Sequence, residues 1–71
     1  MPSLPFTLRQ LEVFANLAAT RSFRRCAEEL GVSQASVSNQ IKALEEQLGV
    51  VLFARRPGQR PTLTREGTAF R

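Results

Sequence analysis

Between Ser33 and Asn39 the chain reads Ser-Gln-Ala-Ser-Val-Ser-Asn, a run of short side chains rich in hydrogen-bonding groups. Gln34 and Asn39 carry the paired donor and acceptor that match N6 and N7 of adenine, Ser36 and Ser38 can donate to or accept from a base edge, and Ala35 can touch a thymine methyl. Further along, Arg55, Arg56 and Arg60 fall close together in a loop-forming stretch. Their guanidinium forks suit a phosphate or a narrow minor groove. The chemistry shared by these two groups is recognition of a base-paired polyanion.

Bond-making chemistry has no such support. The 71 residues contain no His, Asp, Trp or Tyr, and one Cys. Nucleophilic triads need an imidazole to carry the proton, and a zinc site needs four ligands that one Cys and scattered Glu do not supply. A chain of this length buries only about 60% of its unfolded surface, so one compact core without a substrate pocket is expected. The expectation is therefore a non-enzyme with no metal and no cofactor.

The formal net charge is +4 and is unevenly placed. Residues 1–50 balance five bases against five acids, whereas residues 51–71 hold Arg55, Arg56, Arg60, Arg65 and Arg71 against Glu66 alone. A single Cys rules out an internal disulfide, and no apolar run approaches a membrane span of about 18 residues. The start, Met1-Pro2-Ser3-Leu4-Pro5, has neither the basic nor the apolar region of a signal peptide. A cytoplasmic location without membrane association is expected.

Four helices and a hairpin are needed to position these residues. Thr7-Leu8-Arg9-Gln10 is a capping box, with Phe6 and Leu11 placed as a hydrophobic staple, and apolar residues then recur at helical spacing to about Thr20. Ser22 caps a short second helix carrying Phe23, Cys26, Ala27 and Leu30 on one side until Gly31 stops it. Ser33 caps the third, with Val32 as a staple to Val37, and Gly49 ends it. At 100° per residue from Val37, the residues Ile41, Leu44 and Leu48 fall within about 40°, whereas Ala35, Asn39 and Lys42 fall about 140–200° away. The outer face of this helix is thus small and polar, turning acidic toward Glu45 and Glu46. Val50-Val51-Leu52-Phe53 favours a strand whose end can pair with Thr62-Leu63 across the turn-rich Arg55–Pro61 loop. Thr64 caps a last helix, with Glu66 suited to its positive end.

Two helices joined only by Gly31-Val32-Ser33 are too tightly connected to lie as an antiparallel pair, and they fit a helix-turn-helix. Ala27 must be small where the helices meet, Gly31 must take a positive φ, and Val32, Val37 and Ile41 must fill the inner angle. Such a unit inserts its second helix into a major groove, leading end first.

The run Leu8-Arg9-Gln10-Leu11 with Phe14, then Ser22-Phe23, Ala27, Leu30, the whole stretch Val32 to Glu45, Leu48-Gly49 and Leu52-Phe53-Ala54-Arg55 resembles the DNA-binding domain of LysR-type transcriptional regulators. Leu63-Thr64-Arg65-Glu66-Gly67 is similar to the opening of that family's long linker helix. The resemblance implies a mainly α, winged helix-turn-helix: a three-helix core, a small β-hairpin wing and the start of a linker helix. It implies residues 1–63 as the DNA-binding domain and 64–71 as the truncated start of a dimerisation helix. By position it assigns base contact to Gln34, Ala35, Ser36, Ser38 and Asn39. Backbone or minor-groove contact falls to Ser33, Lys42, Arg55, Arg56 and Arg60. Helix 34–48 would read the major groove and the wing, residues 54–61, the backbone or minor groove of promoter DNA. The family works as a homodimer through the linker helix, and its small-molecule inducer binds a further domain absent from this chain. Two departures bear on base preference: Ala35 stands where Pro is common, and Asn39 where Arg or a longer side chain is common.

Each reading has a plainer alternative. Cys26 reads as a buried structural thiol, Ser33 as a cap, and Gln34 to Asn39 in isolation as a solvated face. Arg24 and Arg25 can pair with Glu28 or Glu29, Arg9 and Arg21 read as ordinary surface charges, and Phe53 and Phe70 as core or dimer-seam residues. A winged-helix module that binds protein and not DNA is the competing function, and it would call for exposed apolar residues on the outer face of helix three.

Overall fold

The computed structural model describes residues 7–70. The expected Phe6 staple and Arg71 lie outside these residues. Within them the order is α1 (Leu8–Thr20), α2 (Phe23–Leu30), α3 (Gln34–Leu48), β1 (Phe53–Ala54), β2 (Thr62–Leu63) and α4 (Arg65–Phe70).

Each of the first three helices starts on a hydroxyl. Thr7 Oγ1 accepts from Gln10 N at 3.1 Å while Gln10 Oε1 accepts from Thr7 N at 2.7 Å, completing the capping box. Ser22 Oγ accepts from Arg25 N, and Ser33 Oγ from Ser36 N, both at 3.0 Å. These bonds satisfy amides that have no partner inside the helix. Gly31 closes α2 at φ 68°, and Val32 N then donates to Ala27 O at 3.0 Å. That left-handed residue lets α3 begin at Gln34 in a new direction.

Three helices pack around one core. Val13, Phe14 and Leu17 of α1, Cys26 and Ala27 of α2, and Val37, Ile41 and Leu44 of α3 are buried together with Leu52 and Phe53. The Phe14 ring lies 5.5 Å from that of Phe53 and edge-on to Phe70 at 5.1 Å, so α1 receives both the first strand and the last helix. Phe53 and Phe70 are thus packed on the core.

The hairpin is antiparallel, with Phe53 opposite Leu63 and Ala54 opposite Thr62. It pairs Thr62-Leu63 with the end of the β-favouring run Val50-Val51-Leu52-Phe53, as expected, and leaves Val50 to Leu52 outside the strand. Val50 N still belongs to the end of α3, donating to Glu45 O at 3.2 Å. Leu52 N and Phe53 N both donate to Glu45 Oε2, at 2.8 and 3.2 Å. Leu52 O accepts from Thr64 N at 2.9 Å. This last bond continues the Phe53–Leu63 register by one pair, and the ladder stops there because Leu52 N is given to Glu45. Glu45 is accordingly half-buried, with one carboxylate oxygen turned to the start of β1.

Two residues expected as ordinary surface charges are also bound into the fold. Arg21 closes α1 in the left-handed region at φ 52° and donates from Nε to Pro61 O at 3.1 Å, tying α1 to the base of the wing. Arg9 Nη2 reaches Leu30 O, the end of α2, at 3.4 Å. Thr64 caps α4 as expected, its Oγ1 accepting from Gly67 N at 3.0 Å and donating to Val51 O. Gly67 is buried against Leu52, and a Cβ there would stand 2.9 Å from Leu63 Cδ2 and collide with the Leu52 carbonyl oxygen.

Both junctions yield stability predictions. Glu45→Ala strands two amides and should lower the unfolding free energy by about 1.5–3 kcal/mol, the usual cost of losing hydrogen bonds to a charged group. Gly67→Ala should cost about 1–3 kcal/mol through overpacking. Urea unfolding followed by circular dichroism checks both, and a loss below about 0.5 kcal/mol in either variant contradicts the corresponding contact.

Candidate nucleic-acid interface

α3 leaves the core at its N-terminal end with one side buried and the other open. Val37, Ile41 and Leu44 are fully buried, while Gln34, Ala35, Asn39 and Lys42 are exposed, as the helical spacing requires. No acidic residue occupies its first turn. Ser38 is half-buried at the edge of this surface, facing the wing, where its Oγ accepts from Arg55 Nη1 at 3.4 Å.

The other candidates divide clearly. Gln34, Ala35, Ser38 and Arg55 meet in one shallow depression, whose remaining wall is Phe23 of α2. The Arg55 guanidinium sits over the Phe23 ring, 4.8 Å from its centroid. Ser36 is half-buried and accepts from Gln40 Nε2 at 3.2 Å. Ser33 is an exposed residue whose hydroxyl serves as the helix cap. Arg56 and Arg60 are exposed in the loop, where Arg56 O and Gln59 N close a 3.0 Å turn bond. Lys42 lines a different, more apolar depression with Glu45, Glu46, Gly49, Val50 and Val51.

Among the described residues one ion pair is present, Arg24 Nε to Glu28 Oε2 at 3.5 Å, and both side chains are well exposed. The wing arginines therefore have no carboxylate partner among the described residues. Their charge is available to an external anion. The large exposed apolar side chains among the described residues are Leu8 and Val51, neither of them on α3. No helix is long and apolar enough to cross a membrane, and no cluster of metal-ligating residues occurs among the described residues.

Phe23 was legible in the sequence only as an apolar-face residue of α2. Its contact with Arg55 joins positions far apart in the chain, and no local pattern announces it. The same holds for the bond from Arg21 to Pro61.

A tight helix-turn-helix on an α1 brace, followed by a two-stranded hairpin whose basic loop flanks α3, defines a winged helix-turn-helix domain. The profile described as bacterial regulatory helix-turn-helix protein, lysR family, matches residues 8–68. The chain belongs to this family of transcriptional regulators, which is not an enzyme family. It is similar to a probable RuBisCO transcriptional regulator of Thalassiosira pseudonana, 49% identical over 67 residues that cover 94% of this chain and 22% of that protein. It is 51% identical over 61 residues to the HTH-type transcriptional regulator CfxR of Cupriavidus necator, covering 86% of this chain and 19% of CfxR. The chain thus spans about a fifth of the length of these curated relatives. Its fold is that of the CbnR DNA-binding domain crystallised with DNA (TM-score 0.87, 38% identity, 92% of this chain and 74% of that one). The BenM DNA-binding domain on benA site 1 DNA is similar too (TM-score 0.86, 35% identity, 92% and 72%).

Cys26 stands apart from this surface. It is fully buried, with Sγ donating to Val13 O at 3.8 Å. Burial pushes its pKa above the ordinary 9.0, Glu29 adds to the rise and Arg9 opposes it. The folded pKa lies above the unfolded one, so the neutral thiol's contribution to stability is complete below pH 9.0 and declines as the pH rises toward the folded value. At pH 8 iodoacetamide should label native Cys26 no faster than the domain unfolds. Labelling at the rate of a free thiol would contradict this placement.

Proposed function

We propose that this chain binds double-stranded DNA sequence-specifically as the DNA-binding portion of a LysR-type transcriptional regulator. The observation that carries the proposal is the convergence of Gln34, Ala35, Ser38 and Arg55 on one open, acid-free face at the leading end of α3. A helix face of short, hydrogen-bonding side chains of this kind suits a major groove. The kinship with CbnR and BenM domains crystallised on DNA supports the same reading.

In this proposal Gln34, Ala35, Ser36, Ser38 and Asn39 meet base edges, Ala35 by apolar contact and the others by hydrogen bonds. Ser33, Lys42, Arg55, Arg56 and Arg60 hold the backbone or a minor groove beside it. Phosphate contacts fix register and orientation, and base contacts choose the sequence. Residues 1–63 act as the reading domain, and the helix that begins after Thr64 carries the pairing of two protomers. In the whole regulator a small-molecule inducer is sensed by another domain, in the cytoplasm, and this domain performs no catalysis. A protein-docking role finds less support, because α3 offers no exposed large apolar residue at its leading end.

Two measurements test the proposal. With about four or five phosphates neutralised per protomer, log K should fall against log salt with a slope of about −4. Binding indifferent to salt, or absent at low salt, would overturn it. Asn39→Ala should relax sequence preference with a loss of about 1–3 kcal/mol on the preferred duplex. Arg56→Ala should instead weaken all duplexes about equally and flatten the salt slope by about one. Parallel titrations on preferred and scrambled duplexes check the pair, and identical behaviour of the two variants would refute the division of roles.

A further inference from the structure

We infer that Phe23 is a positioning residue for DNA binding: its ring holds Arg55 in place over the leading end of α3 before any duplex arrives. The inference rests on the DNA-binding reading above. The geometry on both sides of the guanidinium points to it. One face lies on the Phe23 ring at 4.8 Å, and Nη1 donates to Ser38 Oγ at 3.4 Å. Arg55 is otherwise an exposed, long side chain on the loop that follows β1, with no carboxylate partner among the described residues. An unrestrained side chain of this kind would lose its rotamer freedom on binding, and fixing it beforehand removes that cost. A cation over an aromatic face is a suitable restraint, because it orients the guanidinium without satisfying the N–H groups that a phosphate or base needs.

The arrangement divides the wing. Arg55 belongs with α3, as one more group in the depression formed by Phe23, Gln34, Ala35 and Ser38. Arg56 and Arg60 remain on the exposed loop. By taking Ser38 Oγ as its acceptor, Arg55 also leaves the Ser38 O–H to donate outward. An acceptor on the base edge, N7 of a purine, O6 of guanine or O4 of thymine, is the complementary partner.

The test is a double-variant cycle on a fluorescent duplex selected from a random pool by the unsubstituted chain. Phe23→Leu keeps apolar bulk but removes the π face, and Phe23→Tyr keeps the face. With Arg55 present, F23L should weaken binding about fivefold, and F23Y should stay within about twofold, the range of a single exposed cation–π contact. In an R55A background F23L should produce no further loss of binding, and it should lower Tm by less than it does with Arg55 present, because the ring–guanidinium contact is already gone. In the free chain the Arg55 side-chain protons should be shifted upfield by the ring and return to ordinary values in F23L. Equal losses from F23L in both backgrounds, or no upfield shift, would overturn the inference while leaving DNA binding intact. Failure of the unsubstituted chain to bind any duplex at low salt would overturn the DNA-binding reading and this inference with it.

Discussion

Everything at the exposed face of α3 depends on the turn at Gly31. An α-helix that stops on a left-handed residue and restarts on a Ser cap two residues later can leave only in a narrow range of directions. Here the Gly31 φ of 68° and the bond from Val32 N to Ala27 O set that direction, and Ala27 is small enough to let the helices close. Val37 and Ile41 then reach the core, which turns Ala35 and Asn39 to the outside. The face proposed to bind DNA is what remains when the buried face has been satisfied.

A second constraint holds the wing against that face. The Glu45 carboxylate accepts from both Leu52 N and Phe53 N, so the start of the hairpin is fixed to the last turn of α3 by one side chain. Arg21 fixes the other end of the wing to α1 through Pro61 O. Between these ties the loop from Arg55 to Arg60 is exposed and carries charges without carboxylate partners among the described residues. The positive excess of the sequence is therefore presented beside α3 while the first fifty residues stay balanced.

The helical part of this structure was legible in the sequence because its signals are local. Thr7, Ser22, Ser33 and Thr64 as caps, and Gly31 and Gly49 as stops, each act within four residues, and the side that each helix buries follows from its period. The kinship was legible for the same reason, since its motif is a set of caps, small residues and turn residues. The small hairpin was legible too, since Thr62-Leu63 pairs with the Phe53 end of the β-favouring run, and the ladder goes no further because Leu52 N is given to Glu45. The roles of Glu45, Arg21 and Phe23 were hidden because their partners lie elsewhere in the chain and are brought near only by folding. At the interface, residue types and outward direction were readable from α3 alone, whereas the joining of Ser38, Phe23 and Arg55 was not.

The central claim is that the leading end of α3 and the Arg55-bearing wing form one surface that meets DNA. Amide chemical-shift mapping of the chain during titration with a duplex at low salt tests it most directly. The account predicts that the largest changes fall on Gln34 to Asn39 and on Arg55 to Arg60, with little change at Glu46 and Val51. Changes centred on Val50, Val51 and Glu46 instead, with Gln34 to Asn39 unmoved, would contradict it.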